Sequence, residues 1–200
     1  IPGIYNTWVE CKQQIEHYSK PVFKKVETKS EAEYFLKHGK TNKVQTIEIP
    51  DGYTVVYTDG SCKKRKDGPI AGYGVYYGDN DPRNISEYFP LDNPTNNRAE
   101  LYAILACLER ESSNSIAIVT DSKYACDCLT QYIYKWKKNN WKTIDNTDVK
   151  NTDILLKIWN YIEKINVVFK HVNSHTGCHD VYSSGNNMAD RLAQNGIHKK

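Results

Sequence analysis

The chain has 200 residues, a formal net charge of +3 and 15 tyrosines among regular apolar runs, which excludes a disordered chain and allows one sizeable core plus a small module. Charge this mild excludes whole-molecule attraction to a polyanion and leaves such binding to local patches. No apolar stretch is long enough to cross a bilayer and Ile1-Pro2-Gly3 does not begin a signal peptide; the six cysteines lack framework spacing, so the expectation is reduced thiols in an intracellular, reducing compartment with no membrane partner.

Thr7-Trp8-Val9-Glu10 fits a capping box and predicts a helix over 8–17, with Val9, Cys11 and Ile15 inward. Residues 21–26 read as a strand, and Ser30-Glu31-Ala32-Glu33 opens a second helix that turns Ala32, Phe35 and Leu36 inward and stops at Gly39. Residues 1–40 thus form a small α/β unit with little core, more plausible as a binding module than as an independent domain. Aromatic rings beside lysines, as at Phe23, Lys24 and Lys25, suit stacking on sugars or bases while neutralising phosphates, although composition alone favours a solvated lysine pair beside a core Phe. Gly3-Ile4-Tyr5-Asn6-Thr7-Trp8-Val9-Glu10-Cys11, Val22-Phe23-Lys24-Lys25 and Glu31-Ala32-Glu33-Tyr34-Phe35-Leu36 resemble the hybrid-binding domain of eukaryotic type 1 ribonucleases H, found also in viroplasmin. The resemblance implies nucleic-acid contacts by Trp8, Phe23, Lys24 and Lys25, with an RNA–DNA hybrid or double-stranded RNA as partner, and a module whose basic first strand is missing. Residues 41–51 read as a linker, with Ile47 and Ile49 as candidates for an edge strand.

A second domain is expected over 52–200. Val55-Val56-Tyr57-Thr58 reads as a core strand that delivers Asp59 at its tip, with Gly60 turning the chain; alone, Asp-Gly after a strand reads as a surface turn. A basic turn, then strands over 71–77 and 85–91, complete an antiparallel meander. Thr95 or Asn96 caps a helix with Leu101, Ile104, Leu105 and Leu108 on its buried face and Glu100 at the border of that face. Residues 115–120 repeat the first design, an apolar strand running into Thr120-Asp121. If the two strands are parallel neighbours, both carboxylates emerge at one sheet edge, where open α/β sheets hold ligands. A helix over 122–131 follows. The segment Tyr132 to Lys142 interleaves four aromatics with four lysines and no acid, which suits either a polyanion-binding surface or an amphipathic helix. A helix from Asn151, a strand over 166–171, a polar loop and a helix from Gly185, with Asp190 in its first turns, close the chain.

His171, His175, Cys178 and His179 lack the paired spacing of a zinc site. The stronger set is all oxygen: Asp59, Glu100, Asp121 and Asp190. Four converging carboxylates repel unless hard cations join them, and oxygen-only ligation favours Mg²⁺ or Mn²⁺ over zinc. Tyr57-Thr58-Asp59-Gly60-Ser61, Thr95-Asn96-Asn97-Arg98-Ala99-Glu100-Leu101, Thr120-Asp121-Ser122, Trp136-Lys137-Lys138-Asn139-Asn140-Trp141, His171-Val172-Asn173-Ser174-His175-Thr176-Gly177 and Gly185-Asn186-Asn187-Met188-Ala189-Asp190-Arg191-Leu192-Ala193 resemble type 1 ribonuclease H, in that family's order.

The resemblance implies an α/β fold with a five-stranded mixed sheet and flanking helices. It implies endonucleolytic hydrolysis of the RNA strand of an RNA–DNA hybrid by a monomer, with two Mg²⁺ ions (Mn²⁺ substituting) on Asp59, Glu100, Asp121 and Asp190. His175 corresponds to the family's mobile-loop histidine. Asn96 and Asn97 correspond to its minor-groove readers, Tyr124, Tyr132 and Trp136 to its DNA-strand channel, and Thr95 and Asn151 to its phosphate grip. Departures are Asn93 and Asn187, where the family often has arginine and glutamate, and a longer loop from His175 to Asp190. A non-catalytic hybrid or double-stranded-RNA binder is the alternative; integrase- or resolvase-like chemistry fits less well with Asn96, Asn97 and the basic aromatic segment.

Overall fold

The computed structural model describes residues 2–16, 18–19, 21–25, 32, 36, 48–173 and 181–199. The chain divides into two compact units, Ile1–Gln45 and Thr46–Lys200.

In the first unit, helix α1 (Trp8–Ile15) starts on the expected capping box: Thr7 Oγ1 accepts from the Glu10 amide and the Glu10 carboxylate accepts from the Thr7 amide. It buries no residue, and Val9 is exposed, contrary to its expected inward role. Residues 21–25 form no strand, because no described segment offers them a ladder of backbone partners. Ala32 is buried as expected, whereas Leu36 is exposed; Phe35 and most of the second helix lie outside the described residues.

The second unit is built on a five-stranded mixed sheet in the order β3-β2-β1-β4-β5. Its strands are β1 (Thr54–Arg65), β2 (Gly68–Tyr76), β3 (Ile85–Tyr88), β4 (Ser115–Thr120) and β5 (Asn166–His171). The first three form the predicted antiparallel meander, and β4 and β5 add on in parallel. Helix α2 (Asn96–Arg110) lies against β1 and β2 through Leu101, Ile104, Leu105 and Leu108, all fully buried. Helix α5 (Thr152–Ile162) packs on α2. Helix α6 (Val181–Gly196) packs against β1, β2 and β3.

Three local expectations change. Strand β1 runs on past Gly60 to Arg65, because β2 pairs with it throughout; Asp59 is therefore mid-strand, opposite Gly74, and the expected turn is absent. The helix expected over 122–131 is interrupted: α3 (Lys123–Asp127) passes through a π turn at Cys128–Tyr132 into α4 (Ile133–Lys138). The Thr130 hydroxyl donates to Cys126 O at 2.7 Å and the Ile133 amide reaches Cys128 O, which accommodates the wide turn. Helix α6 starts at Val181 rather than Gly185, so Asp190 lies in its second half rather than its first turns. Ile49 takes no strand and packs instead against Tyr57, Val119 and Ala189. Among the described residues, no helix is long and apolar enough to cross a membrane.

Candidate active site

The parallel pairing of β1 with β4 ends at Tyr57 opposite Val119. Asp59 and Asp121 both lie just beyond that point, so the sheet delivers two carboxylates to one edge, as the repeated Thr-Asp design predicts. Glu100 comes from the second turn of α2. Its helix can lie this close because Gly60 has no side chain: a Cβ there would overlap the backbone of Ala99 and Glu100. The Gly60 amide then donates to Glu100 Oε2 at 3.1 Å, fixing the carboxylate toward β1. Gly60 thus makes room for a helix; the sequence suggests an open backbone for a ligand.

Carboxylate oxygens of Asp59, Glu100 and Asp121 lie within 4.8 Å of one another. Asp59 is 6% exposed and Glu100 5% exposed, so two of the three acids are removed from water. Burial, then the charges of Asp121 and Asp190, push the Asp59 carboxyl up to about 8. Burial, followed by the charges of Asp59 and Asp121, holds Glu100 well above the ordinary carboxylate range. Asp190 is close enough to raise both, but both its oxygens accept from Gln194 Nε2, at 2.8 and 2.9 Å, one turn along α6. Asp121 is held from two directions: His171 Nε2 lies 3.1 Å from its backbone oxygen, and Asn186 Nδ2 donates to its Oδ2 at 3.1 Å. No basic side chain pairs with the three acids among the described residues. Elevated proton affinity, burial and an all-oxygen donor set fit a hard divalent cation, which relieves the repulsion without thiolate or imidazole ligands.

The remaining predicted residues fall into three groups. Thr95 caps α2 by accepting from the Arg98 amide, and Asn96 and Asn97 are exposed in the first turn beside Glu100; Asn96 Nδ2 lies 3.4 Å from Glu100 Oε1. Asn151, left-handed at φ 61°, donates from Nδ2 to the Tyr124 hydroxyl at 2.8 Å, and Tyr132 and Trp136 form a ring pair 5.5 Å apart. In the first unit, exposed Trp8 and Phe23 lie 5.3 Å apart, centroid to centroid, and with Lys24 and Lys25 line a groove of about 750 Å³. His175, like Cys178 and His179, lies outside the described residues.

Sequence reasoning missed Arg98, Asn186 and Gln194. Arg98 binds both oxygens of Asp153, at 2.9 and 2.6 Å, and reaches Asn151 Oδ1 at 3.4 Å, tying α2 to the start of α5. The signal for Gln194 was its spacing from Asp190 on a helix. Nothing local in the sequence marks the other two, whose partners lie tens of residues away.

An acid cluster that could hold a metal ion, at the carboxyl edge of parallel strands in a five-stranded mixed sheet, is the arrangement of the ribonuclease H-like fold class. Residues 51–198 match the family model described as RNase H, and residues 1–36 match the Ribonuclease H1 N-terminal domain. Ribonuclease H of Schizosaccharomyces pombe is 41% identical over 143 residues, 71% of this chain and 52% of that protein; this chain therefore spans about half the length of that relative. Human Ribonuclease H1 is 26% identical across 97% of this chain and 85% of its own. The solution structure of the PFV RNase H domain superposes with a TM-score of 0.60 at 24% identity, covering 72% of this chain and 93% of that one, and shares the fold. The chain belongs to the ribonuclease H family, as a type 1 member with the N-terminal domain found in ribonuclease H1. Hydrolysis of RNA in RNA–DNA hybrids, dependent on metal, is the activity that membership carries.

Proposed function

We propose that the second unit cuts the RNA strand of an RNA–DNA hybrid using two Mg²⁺ ions, with Mn²⁺ able to substitute, leaving 5′-phosphate and 3′-hydroxyl ends. The observation that carries this reading is the convergence of Asp59, Glu100 and Asp121 within 4.8 Å on buried, rigid elements. Bound cations supply Lewis acidity toward the scissile phosphate and the attacking water. The chain's own part is positional. Asp59 and Glu100 are set by β1 and α2, whose mutual approach is fixed by the Gly60 amide bond to Glu100. Asp190 completes the set by leaving Gln194, and His175 assists proton delivery or product release. Burial keeps bulk water from competing for the acids and strengthens their attraction for a cation placed among them.

Substrate selection follows from the surroundings. Asn96 and Asn97 offer amides beside Glu100, where they can read 2′-hydroxyls and base edges in the minor groove. Thr95 and Asn151 hold a phosphate of the DNA strand, and Tyr124, Tyr132 and Trp136 line its path with rings. Trp8, Phe23, Lys24 and Lys25 give the first unit a separate stacking surface for a hybrid or for double-stranded RNA. The protein acts as a monomer on this reading. The test is a cleavage assay on matched hybrid, double-stranded RNA and duplex DNA, with and without Mg²⁺. Mg²⁺-dependent cutting of the hybrid alone is expected; equal cutting of duplex DNA would overturn the assignment.

A further inference from the structure

We infer that Asn186 is a positioning residue for the reaction, holding Asp121 in the orientation that receives a divalent cation. This rests on reading the acid cluster as the cation site. Asn186 is 3% exposed, and its Nδ2 gives Asp121 Oδ2 a 3.1 Å hydrogen bond. Its Oδ1 is equally buried and carries no hydrogen bond. A buried amide half of whose capacity goes unused is unfavourable for folding, since an unsatisfied buried acceptor costs about 1–3 kcal/mol. The arrangement makes sense if the amide serves the carboxylate rather than the core.

The way Asn186 reaches Asp121 is built into three elements. Asp121 follows the last residue of β4, where the ladder no longer constrains it. Asn186 comes from α6, on the other side of the acid. Helix α6 reaches this depth because Gly185 lies on the face of Tyr57, where a Cβ would overlap the ring, and the Tyr57 hydroxyl donates to Val181 O at 3.4 Å. Tyr57 is itself two residues from Asp59 on β1. One aromatic ring thus sets the height of α6 over the sheet, and through it the position of the amide against Asp121. With the Asp121 backbone oxygen beside His171 and Oδ2 bonded to the Asn186 amide, the carboxylate is held at both ends of the residue within 4.8 Å of the Asp59 and Glu100 oxygens. An amide donor suits this task because it bonds the carboxylate without bringing a charge that competes with the cation.

The test is metal binding by substrate-free protein, followed by isothermal titration calorimetry with Mg²⁺. Asn186→Leu keeps the volume and removes the donor. Its Mg²⁺ affinity is expected to fall roughly 10- to 100-fold, and its turnover to recover toward the unaltered rate as Mg²⁺ is raised. A melting temperature lowered while Mg²⁺ affinity stays within twofold of the unaltered protein would mark a merely structural role and overturn the inference. A second reading needs no variant: in ¹⁵N-labelled unaltered protein, the Asn186 side-chain NH₂ resonances should shift during the Mg²⁺ titration with the calorimetric midpoint. Resonances that stay fixed overturn it even if the leucine variant fails to fold. Should the unaltered protein bind no Mg²⁺, the cation-site reading itself fails, and this inference with it; normal binding by both proteins removes only the role of Asn186.

Discussion

Asp59 and Glu100 hold their protons tightly because the fold places them out of water next to other acids. The sign of the resulting pH effect follows directly. In the unfolded chain Asp59 ionises near 3.8, whereas in the metal-free folded protein it does so at about 8. Across that interval the folded state binds the extra proton, so stability is greatest at the acidic side and is lost as pH rises toward 8. Melting temperature measured in a chelator should therefore fall by several degrees between pH 5 and about 8, and added Mg²⁺ should raise it more at the alkaline end. A flat profile would argue against mutual burial of the acids. Asp121→Asn keeps the shape but removes a charge; hybrid cutting should drop on the order of a thousandfold or more, and a variant as fast as the unaltered enzyme would sink the proposed mechanism. Gly60→Ala should destabilise by about 1–3 kcal/mol, read as a shifted urea midpoint, since the methyl meets helix backbone rather than a yielding side chain. Asp59, Glu100 and Asp121, which the fold gathers within 4.8 Å, were legible in the sequence because each sits in a short motif on or next to a regular element. Asn186 and Arg98 were not, because an amide or guanidinium acquires meaning only from a partner that folding brings near.

The elements of the second unit were readable where apolar periodicity was strong: β4, β5 and α2 lie close to their expected bounds. Errors gathered where tertiary contact overrides local preference. Gly60 reads as a turn but is carried through in β1 by nine backbone partners on β2. Gly185 reads as a helix boundary but lies inside α6, where its missing Cβ is what lets the helix seat on Tyr57. The π turn at Cys128–Tyr132 leaves no trace in a hydrophobic pattern. The link between α2 and α5 also lives at this scale. Arg98→Ala removes the guanidinium shared by Asp153 and Asn151, so it should lower stability by about 1 kcal/mol and raise KM for hybrid more than it changes kcat. Unchanged KM would detach Asn151 from substrate binding.

At the scale of the molecule, every strand among the described residues, the acid cluster and the main core belong to Thr46–Lys200, while α1 in the other unit buries none of its residues. Deleting residues 1–45 should therefore leave the melting transition of the catalytic unit in place. It should weaken hybrid affinity or processivity while kcat stays within a few-fold; unchanged affinity would assign the Trp8–Phe23 surface to another partner. The sequence breaks its patterning after Gly39, while the compact units divide after Gln45. The exposure of α1 was not legible, since periodicity shows which face is apolar and not whether anything covers it.

Strand β1 pairs with β4 over Thr54–Tyr57 and with β2 over Tyr57–Arg65, so the two ladders meet at Tyr57. Asp59 stands at the seam between the antiparallel and parallel halves of the sheet, on its middle strand. Amide protons of Val56 to Gly60, buried on either side of that junction, should consequently exchange only through global opening, while those from Lys63 onward, at the exposed end of the hairpin, are released by local fraying. Loss of cutting on heating should then track complete unfolding, with no partly open form that keeps its activity.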